Sequence, residues 1–446
     1  MKDGQSVTHE IADYIVGMTF ADLPDQAVVN AKAAILDVVA VTLAAVDQPQ
    51  ARQILQFVAA SGSGGDGRIL GSSLRTSPEL ASLANGTLAH ALDFDDRGHA
   101  TTHTMGTILA LLGSTEASGQ DLLVAYCVGR EIRMHLDETF DSGRFDTNNH
   151  TPGNHGWHAT GTHGSLASAA SAARILNLDL ESTTHALGIS ASLASGVIAN
   201  FGSMTKALHA GNAARNGVLS AQLAAQGWTA APDPIASARG LIDALTGRWP
   251  ALSAEVMVSS LRTSFHTAEK GVRIKPYPSC TGSHPYIEAG QHLAAALRDA
   301  IEHIDAIYVP RRPSLPCELP VNAVQTRFSG GFAVVAGMIA EQVGMDTYSE
   351  SFLTRADVQG LMHSVQYVPS NGAPKIVVVL SDGQEFVEPL VAVRDLDDED
   401  DRYGKVKALL VPLLGDSKTC ELVEFVMDID RRATASDLLD LVPPIY

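Results

Sequence analysis

The run Asp93-Phe94-Asp95-Asp96-Arg97-Gly98-His99, followed by Thr101, Thr102 and His103, is the densest polar constellation in the chain. Three carboxylates, one arginine and two imidazoles fall within eleven positions. Burying that many charges without partners would be costly. The spacing is read as a hydrogen-bonded acid–base and substrate-positioning network where a helix ends and a loop begins. The competing reading is a solvated acidic loop with a helix cap.

Three further clusters can carry chemistry. Asn154 to His163 interleaves three histidines with glycine and threonine just before a helical run. Histidine titrates near neutrality, and a helix start favours anions; His158 is the choice from this group. In Thr205 to Asn212, Lys206 and His209 stand three apart and can share one side of a helical turn. A desolvated lysine can accept a proton, and a charged one can pair with a carboxylate. Arg273 to His284 is a proline-stiffened loop containing Lys275, Tyr277, Cys280 and His284. Cys280 is read as a small, partly buried side chain rather than a nucleophile.

The elements that must hold these clusters are mostly helices. Apolar residues Ile11, Tyr14, Ile15 and Met18 recur at helical spacing, and Asp22 with Pro24 starts a second helix of about 20 residues. Ser77-Pro78 starts another that runs to about Leu92, with Gly62 to Gly67 as an earlier loop. Ser165–Leu176, Ala186–Ala199 and Ala207–Ala225 are rich in Ala, Ser and Gly, as closely packed helices require.

After about residue 265 the texture changes. His303–Pro310 reads as a strand, and Lys375–Leu380 with Glu385–Val393 as two strands joined at Asp382-Gly383. Gly331–Val343 and Arg355–Val365 are helical. The acidic run Asp395–Asp401 reads as a solvated connector before a helix over Lys405–Leu414. The fold class is mainly α with a smaller α+β part. A discontinuous all-helical domain is placed at 1–268 and 398–446, and an α+β lid domain at 269–397.

The chain has 446 residues and a formal net charge of −19. That acidity disfavours nucleic acid and anionic membranes as partners, and an anionic substrate would need a local cluster of cations. Four scattered cysteines suggest neither a disulfide framework nor structural zinc. The N-terminus lacks an apolar signal core, and Ala33–Val46 is short for a membrane span and contains Asp37. A cytoplasmic protein is expected.

Taken together, the clusters resemble the MmgE/PrpD superfamily. Its His-x-x-Asp-Phe-Asp-Asp signature is matched by His90 to Asp96, and its His-x-x-x-His by His99 and His103. Gly156-Trp157-His158-Ala159-Thr160, Thr205 through Gly211, and Lys275-Pro276-Tyr277-Pro278 match three more elements in order. The resemblance implies a large helical domain, an α+β lid domain, a homodimer, a cleft between domains, and no organic cofactor or metal. Known activities are 2-methylcitrate dehydration, cis-aconitate decarboxylation and iminodisuccinate epimerisation. By resemblance, Asp93, His103, His158, Lys206 and Lys275 line the active site and are the expected catalytic residues; Arg97, His99, His209, Tyr277 and His284 are the expected substrate-binding residues.

The sequence departs from the decarboxylase pattern at Arg97, in place of threonine, at Cys280, in place of histidine, and at Phe332, in place of tyrosine. Arg97 adds a fixed cation suited to bidentate carboxylate binding. These departures resemble the iminodisuccinate epimerase branch, so the expected activity is an isomerase that removes and returns a proton next to a carboxylate. The alternative is a 2-methylcitrate dehydratase-like lyase. A zinc hydrolase built on His99 and His103 and a noncatalytic polycarboxylate binder are the other readings.

Overall fold

In the computed structural model, which describes residues 6–62, 64–141, 156–247, 252–370 and 372–446, helix follows helix through the first half of the chain. Asn154 and His155 of the second sequence cluster lie outside the described residues. The chain divides into two units. One comprises Met1–Ala199, Ala207–Ile274 and Asp398–Tyr446; the other comprises Asn200–Lys206 and Lys275–Asp397. Residues 269–274 thus belong with the helical unit, and 200–206 with the smaller one.

The helical unit owes its close packing to small residues. A Cβ on Gly86 would lie 2.8 Å from the Ala210 carbonyl oxygen, and one on Gly106 would lie 2.7 Å from the Gly86 nitrogen. At these points Pro78–His90 meets Ala100–Leu111 and Thr205–Ala225 backbone to backbone. The expected small-residue helices are present as Thr162–Ile175, Leu180–Leu193 and Thr205–Ala225. The middle one ends earlier than its composition suggests, and Ile198–Asn200 is a short 3-10 turn. Asp25–Ala44, which follows Pro24 as expected, is long and apolar enough to cross a membrane by length and composition, yet most of its apolar window is buried inside the unit. Its buried charge, Asp37, is paired with Lys405 at 2.7 Å. A two-residue hairpin, β1 (Gly67–Arg68) with β2 (Arg75–Thr76), lies against Pro78–His90.

The smaller unit is α+β. Its sheet has the order β4-β3-β5-β6, where β3 is Ile304–Pro310, β4 Val365–Val368, β5 Lys375–Leu380 and β6 Glu385–Pro389. β4 runs parallel to β3, and the other pairs are antiparallel. Helices His284–Leu297 and Gly330–Ile339 pack together beside it, around a core including Ile307, Val309, Phe332, Ile376 and Val378. The acidic run is more than a connector. Helix Glu399–Leu414 begins inside it, capped by Asp398, and Glu399, Asp400 and Asp401 occupy the first turn, where the helix dipole favours negative charge. Among the described residues all four cysteines are free.

Candidate active site

The polar run follows the end of Pro78–His90. Asp93 takes a left-handed conformation with φ +52°, and His99, with φ +63°, sits immediately before helix Ala100–Leu111. Non-glycine residues rarely adopt this region, and such positions concentrate at functional sites. Asp96 holds the next helix: its Oδ1 accepts from Thr101 N at 3.1 Å, while its other oxygen is buried without a hydrogen-bond partner. Burial, then the neighbouring Asp95, raises the Asp96 carboxyl above the usual range, partly countered by Arg130. Arg97 is half-buried, and its amide donates to the Arg273 carbonyl at 2.8 Å.

Asp95 is the hub of the loop. It is fully buried and receives His90 Nδ1 at 3.0 Å and His99 Nδ1 at 2.7 Å, one on each oxygen. An ionised carboxylate can only accept, so both Nδ1 atoms carry hydrogen. His99 Nε2 also lies 3.7 Å from Asp93 Oδ1. From His99 the imidazoles continue. The His158 ring stands edge-on at 6.3 Å, and its Nδ1 meets His209 Nδ1 at 2.9 Å. Of those two nitrogens one donates and one accepts. Gly196 admits the pair: its φ is +122°, a Cβ there would lie 3.3 Å from His209, and its carbonyl accepts from His158 N.

His103 belongs to a different network. It is fully buried, with Nε2 facing Arg133 Nη1 at 3.4 Å and Nδ1 near Thr104 and Ser168 hydroxyls at 3.4 Å. Arg133 only donates, so His103 Nε2 accepts. Burial and the Arg133 charge press the His103 pKa well below its ordinary value, and it stays neutral. Arg133 also binds Asp137 at 2.9 Å, which binds His163 at 2.7 Å. The Arg133 charge, with the bond from His163, holds the Asp137 carboxyl below the usual range against its burial.

The smaller unit holds buried cations of its own. Lys206 is 3% exposed, with its ammonium over the rings of Phe201 and Phe328 at 5.3 and 5.2 Å. Lys275 is fully buried and donates to the Ser279 carbonyl at 3.5 Å. His284 Nε2 faces the same carbonyl at 3.3 Å, and its ring meets Tyr277 edge-on at 5.3 Å. Burial, then the Glu288 charge, pushes the Tyr277 phenol up to about 12, so it remains a proton donor. Lys206 and His209 are on one helix, Thr205–Ala225, as the three-residue spacing requires.

Among the described residues, two groups offer metal-ligand atoms within 4.8 Å of one another: His90, Asp93, Asp95 and His99, and separately Glu131, His135 and His266. In the first, both Nδ1 atoms are committed to Asp95. Neither group includes His103, so the zinc reading built on His99 and His103 finds no support in their placement. In the second, the imidazoles stack at 4.0 Å with planes 13° apart. Their in-plane lone pairs then run side by side instead of converging on one ion.

The MmgE/PrpD N-terminal domain matches residues 9–252, and the MmgE/PrpD C-terminal domain matches residues 277–392. The chain belongs to the MmgE/PrpD family. It is 25% identical to the cis-aconitate decarboxylase of Aspergillus terreus over 98% of this chain and 96% of that protein. It is 27% identical to the Homo sapiens cis-aconitate decarboxylase over 86% of this chain and 82% of that protein. A cis-aconitate decarboxylase-like protein of Aspergillus oryzae is 26% identical over 98% and 97%. These relatives correct the expectation of an isomerase: decarboxylases are lyases, and nothing in the comparison points to an epimerase branch.

The MmgE/PrpD departures noted in the sequence have structural settings. Phe332 is fully buried between Tyr348 at 5.8 Å and Phe352 at 6.2 Å, where a hydroxyl would need a partner in an apolar core. Cys280 is buried with its thiol 3.7 Å from the Ser314 carbonyl oxygen. Sequence reasoning passed over Asp95 as a hub, and missed Arg133, Asp137 and the buried guanidinium of Arg327. Arg133 and Asp137 stand four apart in one helix, the spacing of an ion pair on one face and a detectable signal.

Proposed function

We propose that this chain is a lyase acting on a small polycarboxylate, working by proton transfer through its own imidazoles and without an organic cofactor. The observation that carries the reading is the buried Asp95 hub, which links His90 and His99 and leads on to the His158–His209 pair. A carboxylate-oriented imidazole can take or return a proton beside a substrate carboxylate. Lys206, Lys275 and Arg97 are the proposed carboxylate partners, compensating the repulsion of an acidic protein for an anion.

Decarboxylation of an unsaturated tricarboxylate such as cis-aconitate is the first reading, supported by the relatives. The bond to the departing carboxylate breaks, and CO2 leaves. The freed electron pair shifts the double bond, and an imidazolium protonates its far carbon. Dehydration of a hydroxy tricarboxylate such as 2-methylcitrate is the second, since Phe332, Cys280 and Arg97 depart from the decarboxylase pattern. There an imidazole removes the proton, and a second acid protonates the leaving hydroxyl as water.

Proton NMR of the purified protein with cis-aconitate, and separately with 2-methylcitrate, in deuterated buffer tests both. CO2 release with deuterium in the product supports decarboxylation. A new alkene with no CO2 supports dehydration. Both substrates unchanged at high enzyme concentration would remove the lyase reading. Within it, replacing Lys206 or Lys275 by Ala is expected to cut kcat/KM by roughly 100-fold or more, as loss of a desolvated charged contact does.

A further inference from the structure

We propose that Lys405, far along the chain from every sequence cluster, is a positioning residue that clamps the Asp93–His99 loop for proton transfer. The proposal rests on the lyase reading for its turnover assay, though not for its structural content. Lys405 and Asp37 form an ion pair at 2.7 Å with side chains 5% and 4% exposed. Two charges in such a place lose much hydration, and a buried pair by itself adds little stability.

What distinguishes this pair is where the lysine's other contacts go. Lys405 Nζ donates to the Phe94 carbonyl at 2.6 Å and sits 3.8 Å over the centre of the Phe94 ring. Phe94 lies between Asp93, with its left-handed backbone, and Asp95, the hub that orients His90 and His99. One ammonium thus grips both the backbone and the side chain at the turn that aims the hub. Asp37, on the core helix Asp25–Ala44, fixes that ammonium from behind. Asp37 also senses the repulsion of Asp95 and Asp96, which the lysine's charge offsets at Asp37. The anchor comes from helix Glu399–Leu414, which contributes none of the sequence motifs.

The test compares the full-length protein with K405M, K405R and the double variant D37L/K405M, which replaces the ion pair by apolar side chains of similar reach. Melting temperature, kcat, KM and the nitrogen-15 NMR shifts of the His90 and His99 rings are measured. K405M is expected to lose melting temperature and at least tenfold in kcat, with KM changed less than about threefold, because a small misplacement of a catalytic group costs rate more than binding. D37L/K405M is expected to regain melting temperature but not kcat, and to show altered His90 and His99 shifts. K405R, which keeps the charge, should exceed K405M in kcat. A double variant with both melting temperature and kcat restored would overturn the proposal and leave Lys405 as core filling. If the wild-type protein turns over neither tricarboxylate, the lyase reading fails by itself. The clamp is then decided by the histidine spectra: unchanged shifts in the double variant reject it, and displaced shifts uphold it.

Discussion

Replacing Asp95 by Asn is the most informative single change, because it keeps the shape of the hub and alters only what it can accept. The carboxylate receives both His90 and His99 through Nδ1. An amide offers one acceptor and one donor, so one imidazole must turn its Nδ1 into an acceptor and move its hydrogen to Nε2. Hydrogen bonds to a charged group contribute about 1.5–3 kcal/mol each, and neutral ones about 0.5–1.5. Two bonds losing the difference amount to about 2–3 kcal/mol. If the anion stabilises the imidazolium formed in turnover, that corresponds to roughly 30- to 160-fold in kcat at about 1.36 kcal/mol per tenfold. The assay is steady-state turnover of the substrate identified by NMR, alongside nitrogen-15 shifts that report which ring nitrogen carries hydrogen. D95N with kcat within threefold of wild type and both histidines still protonated at Nδ1 would refute the hub.

His103 supplies a pH prediction. Its folded pKa is depressed, whereas in the unfolded chain it protonates at about 6.5. Below that pH the unfolded state binds the extra proton, so the contribution of His103 to stability is full above about 6.5 and declines as pH falls. Its ring resonances should stay still between pH 8 and 5.5 in the folded protein, and H103Q should flatten the acid side of the stability profile. A His103 resonance titrating with a midpoint near 6.5 would contradict its placement. Gly106→Ala forces a Cβ to 2.7 Å from the Gly86 backbone and is expected to cost about 1–3 kcal/mol in thermal or denaturant unfolding. An unchanged midpoint would mean that those helices pack less closely than described.

The sequence carried local information well. Proline and serine marked the start of Pro78–His90, helical spacing gave Val7–Gly17, and Asp382-Gly383 gave the turn joining β5 to β6. Each depends on residues adjacent in the chain. The boundaries drifted where tertiary packing decides them, as at Leu193, where the small-residue texture continues but the helix stops. Within the site, His158 and His209 were legible as types, but their 2.9 Å contact spans 51 positions and has no local signature. His103 shows the limit most clearly. Its motif spacing placed it beside His99, yet its hydrogen bonds go to Arg133, Thr104 and Ser168. Lys405 resembled any other helix lysine, because what sets it apart is a carbonyl 311 positions away.

The helical unit is assembled from three stretches of chain, the last being Asp398–Tyr446. During synthesis the ribosome must therefore complete 275–397 before the partner of Asp37 emerges. At ~5–20 residues per second that delay is roughly 6–25 s. Throughout it, Asp37 lacks its partner and the surface that Val406, Leu409 and Leu410 bury in the finished fold has nothing to cover it. The order of the chain thus leaves the helical unit unfinished until synthesis is almost complete, and a chain ended near residue 397 is expected to aggregate in a solubility assay instead of giving a stable fragment.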